Sequence, residues 1–258
     1  MSLFYAPDIA VSNELPEEEA IHALRVLRMQ KGDELTVTDG QGNFYDALVS
    51  EVAGKRCFVD VVSISRQEPL WRGHLHLAVA PTKNIERVEW LLEKVTEIGI
   101  DEISLLDCRY SERHVVKTER LEKILVAAMK QSMKARKPLL NNLLPFEEFV
   151  RRPYSGGRFI AHCYSAEEVS SGVEGDRSLS YCATAFRPAL SDALEPGKDA
   201  LVLVGPEGDF SIDEVRLALE LGFRSVSLSN SRLRTETAAL VAAHLMNLTA
   251  TRQKRCKS

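Results

Sequence analysis

Residues 201–214 read LVLVGPEGDFSIDE. Four apolar residues, Leu201 to Val204, run into Gly205-Pro206-Glu207-Gly208. Asp209 and Phe210 then lead to a helix start at Ser211, with Glu214 three residues on in capping-box spacing. A run that is apolar on both faces, then a glycine-bearing loop, then a helix is the repeating unit of an open parallel α/β sheet. Such sheets bind ligands beyond the carboxyl ends of their strands. A triphosphate does not suit this loop. It lacks the lysine and hydroxyl of a phosphate-binding G-x-x-x-x-G-K-[ST], and the dinucleotide fingerprint G-x-G-x-x-G is missing too. Glu207, Asp209, Asp213 and Glu214 crowd it instead, and each carboxylate would repel a phosphate by about 1 kcal/mol in water and more in a cleft. What remains is a tight turn in which Gly205 and Gly208 let the backbone approach a ligand and Pro206 restricts the conformation.

A second loop of the same kind follows at 227–244, SLSNSRLRTETAALVAAH. It too leaves a strand and opens a helix. That helix is apolar on nearly every side, which predicts burial, in part against a second subunit. Arg232 and Arg234 stand just before it, where the positive end of the helix dipole disfavours cations. Arginines placed against that preference point either to an anionic partner such as RNA phosphate or an ionised base, or to pairing with Glu236 or Glu207.

Working outward, five strands are predicted at HLHLAVA (74–80), EISLLDC (102–108), RFIAHCY (158–164), ALVLVG (200–205) and SVSLSN (225–230). Helices are predicted over 83–99, 118–135, from Ser211, and from about Thr235 to Gln253. In the first, Ile85, Val88, Leu91, Leu92, Val95 and Ile98 form one stripe and Gly99 takes the C-cap position. The alternation implies a mostly parallel sheet with helices on both faces. Before residue 65 the texture differs. A short helix over 16–28 precedes ELTVTD (34–39), FYDALVSEV (44–52) and KRCFVDVVSI (55–64), which are separated by glycine-bearing turns and read as a small antiparallel barrel or sheet. Residues 65–73, with Pro69 and Gly73, read as the connector.

The totals restrict function. A chain of 258 residues, 45% hydrophobic and 27% charged, belongs with globular proteins, and it contains no apolar run of about 18 residues. The N-terminus lacks a basic region and turns acidic quickly, so no secretory signal is expected, and a cytoplasmic location is. Cys57, Cys108, Cys163, Cys182 and Cys256 are scattered without a C-x-x-C pair, which argues for a reducing compartment and against a zinc site. The net charge of −4 does not announce a nucleic-acid binder, yet residues 113–137 hold eight basic residues against two acidic ones. That run reads either as a solvated helix face or as a phosphate-contacting surface.

Taken in order, HALRVLRMQKGDEL, KNIERVEWLLEKVTEIGI, QSMKARKP, GPEGDFSIDE and LSNSRLRTETA resemble the RsmE family of ribosomal RNA methyltransferases, within the SPOUT superfamily. The resemblance spans almost the whole chain. It implies a PUA-like RNA-binding β-barrel domain over 1–69 and an α/β methyltransferase domain with a C-terminal trefoil knot over 73–258. It implies a homodimer that uses S-adenosylmethionine to methylate N3 of a uridine in 16S rRNA of the small ribosomal subunit, with no metal and no membrane. The cofactor residues carried over are Leu203, Gly205, Pro206, Glu207 and Gly208 in the first loop. In the second they are Leu228, Asn230, Leu233, Arg234, Thr235 and Ala238, and His162 to Tyr164 would form a third wall. Arg234 is the expected catalytic cation, with Glu236 or a water as proton acceptor. Arg25, Arg28, Lys130, Lys134 and Arg136 are the expected RNA contacts. Two rivals stand beside this reading. One is a SPOUT methyltransferase acting on another ribosomal or transfer RNA nucleotide or on a ribose 2′-hydroxyl; the other is a non-catalytic RNA-binding assembly factor. The chain departs from the family pattern at Asp209, where G-P-E-G-G usually ends in glycine, and at Leu228-Ser229, where L-G is usual. MSLFYAP also lacks an early arginine.

Overall fold

The structure, a computed structural model, describes residues 2–172 and 187–252. Cys182, Cys256 and the expected helix end at Gln253 lie outside the described residues. Two compact units divide the chain: residues 1–69 with 123–137, and residues 70–122 with 138–258.

In the first unit, β1 (Leu3–Tyr5) pairs in parallel with β2 (Glu34–Thr38). β2, β3 (Asn43–Ala53) and β4 (Arg56–Arg66) follow antiparallel in chain order. Alternation along β3 buries Tyr45, Ala47 and Val49, the period of two that a half-buried strand requires. They meet Phe4, Leu15, Val37, Cys57 and Val59 in one core. α1 (Glu17–Ile21) carries three glutamates in its first turn, where the helix dipole favours them. It passes into a π-helical turn over His22–Val26. Residues 123–137, which the sequence reading kept within the α/β domain, pack in this unit.

The second unit begins with β5 (Leu75–Val79), α2 (Ile85–Ile98) and β6 (Glu102–Asp107). α3 (Thr118–Gln131) follows, of which residues 118–122 belong here, then β7 (Leu139–Pro145), α4 (Phe146–Val150), β8 (Gly157–Ala161) and α5 (Ala166–Ser171). The chain closes with α6 (Leu190–Ala193), β9 (Ala200–Val204), α7 (Ile212–Glu220), β10 (Arg224–Val226) and α8 (Thr235–Thr251). The sheet is six-stranded, ordered β10-β8-β9-β5-β6-β7, and every pairing in it is parallel. β7 is the strand beyond the expected five. Asn141 and Asn142 interrupt its apolar run, so no strand pattern marks it.

Alternation along the buried strands assigns the faces. Leu201 and Leu203 of β9 pack with Phe146 and Phe149 of α4 and with Val215 and Ala218 of α7. On the other face α8 packs on β5, β9 and α2. α2 buries Val88, Leu91, Leu92 and Val95 as its stripe predicted, and Asn84 caps it by accepting from Glu86 N at 3.0 Å. Within the chain α8 buries Ala239, Ala242, Ala243, Met246 and Ala250, while Leu240, Val241 and Leu245 are half-buried and Leu248 is exposed. One stripe of an all-round apolar helix is covered by its own sheet; the rest is not.

Candidate functional site: a pocket beyond β8, β9 and β10

From β5 the sheet grows through β6 and β7 on one side and through β9, β8 and β10 on the other. Beyond the carboxyl ends of those last three strands lies a cavity of about 400 Å³, lined by residues 161–163, 204–207, 209, 226–229 and 231–235, with Ala238 of α8 and Arg87 of α2. This is the position where an α/β sheet binds its ligand, and the volume is that of a small-molecule site.

The first loop is tight. Asp209 N donates to Pro206 O at 2.9 Å. A Cβ on Gly205 would stand 3.0 Å from Phe210 N, and one on Gly208 would stand 3.0 Å from Tyr110 Cβ. The carboxylates that exclude a triphosphate have partners of their own. Glu207 accepts from Lys83 N at 2.9 Å. Glu214 completes the capping box with Ser211 and also accepts from Arg109 N at 2.9 Å.

In the second loop Ser227 N donates to Pro188 O, and Leu190 N to Ser227 O at 2.9 Å. Arg234 is the N-cap residue of α8, exposed, with extended backbone and no side-chain capping bond, so its guanidinium is not used in ending the helix. Neither expected partner holds it in an ion pair: the carboxylate of Glu236 faces Arg87 instead, at 3.5 Å.

The third wall is His162 and Cys163. His162 Nε2 lies 2.8 Å from Ser225 Oγ, and its Nδ1 accepts from Tyr164 N at 3.2 Å. Burial, then the neighbouring Arg187 cation, push its pKa down to about 3, so the ring is neutral at physiological pH.

Eight of the eleven expected cofactor residues line this cavity: Gly205, Pro206, Glu207, Leu228, Leu233, Arg234, Thr235 and Ala238. Leu203 does not, because alternation turns it into the α4–α7 core and presents Val204 instead. Gly208 serves the approach of Tyr110, and Asn230 is exposed outside the lining. Sequence reasoning missed Arg87, which α2, far upstream of both loops in the chain, brings in roughly one turn after its cap. Glu236 is 8% exposed and outside the lining. Of the expected RNA contacts, Arg25, Arg28 and Arg136 are exposed. Lys130 instead sets its ammonium 2.5 and 2.7 Å from the two Glu19 oxygens, with both side chains largely buried. Lys134 is 8% exposed. Both lysines are therefore withdrawn from the surface, Lys130 on the inward side of α3 and Lys134 beyond the end of that helix, past the left-handed turn at Met133.

The walls combine apolar surface with charges of both signs, since Arg87, Arg232 and Arg234 stand in the lining beside two carboxylates. Val204, Pro206, Val226, Leu228, Leu233 and Ala238 supply apolar surface, and Glu207 and Asp209 supply carboxylates. A family model described as RNA methyltransferase domain matches residues 69–247, and one described as RNA methyltransferase PUA domain matches residues 15–62. A ribosomal RNA small subunit methyltransferase E from a Synechocystis species is 30% identical, over 86% of this chain and 68% of its own length. This chain belongs to the RNA methyltransferase family of that enzyme. A probable rRNA-methyltransferase from Porphyromonas gingivalis has a solved structure at a TM-score of 0.86 and 44% identity, covering 97% of this chain and 98% of its own. A family member from Neisseria gonorrhoeae, a ribosomal RNA small subunit methyltransferase E solved with S-adenosylmethionine bound, matches at 0.76 and 25% identity over 96% and 97% of the two chains. The family's fold is therefore this chain's: a PUA-like unit followed by a SPOUT-type α/β unit.

Proposed function

We propose that this family member is an S-adenosylmethionine-dependent methyltransferase acting on N3 of a uridine in 16S rRNA of the small ribosomal subunit. The observation that carries the reading is the cavity itself, in which the two loops marked by G-P-E-G and L-R-x-E-T-A converge on one pocket. S-adenosylmethionine, when bound, supplies a methyl group on a positively charged sulfur. Gly205 to Glu207, Leu228, Leu233, Thr235 and Ala238 would hold it. A uridine N3 carries a proton and is a poor nucleophile until that proton leaves. A fixed cation at the pocket mouth stabilises the anionic base in the transition state, and Arg234, exposed at the start of α8, is the residue assigned to this. Glu236, buried against Arg87, is poorly placed as proton acceptor, which leaves water in that role.

Arg25, Arg28 and Arg136 are assigned to RNA phosphates. The uncovered apolar residues of α8 and the exposed Trp90 of α2, a helix packed against it, support a homodimer. The return of α8 onto β5 and β9 after β10 supports the C-terminal knot. No helix among the described residues is long and apolar enough to cross a membrane. The test is incubation with labelled S-adenosylmethionine and small ribosomal subunits lacking the modification, followed by mapping. Label at N3 of one 16S uridine is expected. Label on another nucleotide or on a ribose would favour a different SPOUT specificity, and no label in any RNA would favour an assembly factor.

A further inference from the structure

The ladder between β8 and β9 ends at the pair Ala161 and Val204, and the pocket walls begin there. Past that pair no sheet hydrogen bonds hold His162–Cys163 at a set distance from the Gly205–Asp209 loop. Asp209 spans the gap. Its Oδ2 accepts from Cys163 N at 2.8 Å and its Oδ1 from Phe210 N at 2.8 Å. Tyr164 adds a second tie by donating from its hydroxyl to Phe210 O at 2.8 Å. Asp209 has a φ of +66°, a conformation that glycine adopts at lower cost. What the side chain adds at this position is therefore its carboxylate. On the far side of the same wall Arg187 Nη1 donates to His162 O and lies 3.1 Å from His162 Nδ1. The residues that follow, Pro188 and Leu190, bracket Ser227 of the second loop. His162, Cys163, Asp209 and Ser227 all line the cavity.

We propose that Asp209 is a cofactor-positioning residue, and that with Arg187 it clamps the His162–Cys163 wall at the spacing the methyl donor requires; this rests on the S-adenosylmethionine reading of the pocket. Charge-assisted bonds to backbone N–H groups are the strong class, and losing the one that crosses between walls lets the pocket widen without touching the core. The experiment is calorimetric measurement of S-adenosylmethionine affinity on the full chain, for the parent, Asp209→Gly, Asp209→Asn, Arg187→Met and the Asp209→Gly/Arg187→Met double variant. RNA affinity and thermal unfolding are measured in parallel. Glycine keeps the backbone conformation and removes the tie, so the dissociation constant should rise roughly tenfold. Asparagine retains one acceptor oxygen and should fall between glycine and the parent. Because both residues act through one wall, the double variant should lose less than the product of the two single losses. RNA affinity should not change. Parent-like cofactor affinity in Asp209→Gly, or a double variant equal to the product of the singles, would overturn the clamp. A parent protein that fails to bind the cofactor would instead remove the reading of the pocket.

Discussion

The two ends of the parallel sheet both gather polar side chains, and they treat them oppositely. At the amino ends of β5, β6 and β7 the groups close on one another. His74 Nε2 lies 2.8 Å from Glu102 Oε2, Asn141 Nδ2 donates to Glu102 Oε1 at 2.6 Å and to Ser104 Oγ at 2.9 Å, and His76 Nε2 meets Ser104 Oγ at 2.9 Å. Asp101 accepts from Trp71 Nε1 and Leu75 N, both at 2.8 Å. At the carboxyl ends polar groups surround a cavity, and the buried Arg187 Nη2 and Glu236 Oε2, on side chains that contact the lining residues His162 and Arg87, have no hydrogen-bond partner. A buried polar cluster that satisfies itself costs little and specifies packing. One that leaves atoms unpaired around an open volume carries a cost that packing does not explain, and such places are where function is to be sought.

That contrast can be broken most directly at Arg234. Arg234→Ala should lower the methyl-transfer rate by on the order of a hundredfold to a thousandfold, the usual loss for a removed transition-state donor. Unfolding should scarcely move, because the side chain is exposed and makes no cap. Rate measurements beside a melting curve would check both; a variant with full activity removes Arg234 from the chemistry.

Acid should act at both ends of the sheet, through His76 at the closed end and His162 at the open one. Burial holds the pKa of His76 down to about 4 from an ordinary 6.5. The unfolded chain therefore takes up a proton that the folded one refuses, and stability falls as pH drops from 6.5 toward 4. One such group amounts to on the order of 3 kcal/mol. His162, depressed to about 3, acts in the same direction. His74 opposes them, since its pKa is raised by the hydrogen bond to Glu102. Glu102, held at about 2 chiefly by His74, contributes stability above 4.5 that is lost as pH falls on toward 2. Denaturant unfolding across this range should show the decline, and His76→Gln should make it shallower between pH 6.5 and 4, with the His162 share remaining. An unchanged profile in that variant would mean His76 is not the group responsible.

The smallest effect expected is that of Asn141→Ala. It removes one hydrogen bond to a carboxylate and one to a hydroxyl, and should cost about 2 kcal/mol of stability while leaving cofactor affinity unchanged. Weakened cofactor binding in a folded Asn141→Ala protein would mean that the two ends are coupled after all.

Much of this molecule was legible in local pattern. The apolar run of β9 needed burial on both faces, the stripe of α2 came out in register, and Ser211 with Glu214 formed its capping box, because each depends on residues within a turn or two of chain. The two loops were matched to a methyl-donor pocket through the motifs that carry the family resemblance. β7 was not legible, because Asn141 is polar for the sake of Glu102 and Ser104, which are neighbours only across the sheet. Lys130 and Lys134 looked like surface cations until Glu19 and the first unit's packing were in view.

By itself, then, the sequence determined most of the strands and helices through periodicity and turn chemistry, and its motifs carried the resemblance that pointed to the family and paired the two loops. Tertiary structure alone decided that Val204 rather than Leu203 faces the cavity, that Arg87 joins it, and that Asp209 is a tie between walls. Those facts depend on strand parity, on a helix returning from far upstream, and on a carboxylate 46 residues from the amide it accepts, none of which a one-dimensional pattern encodes.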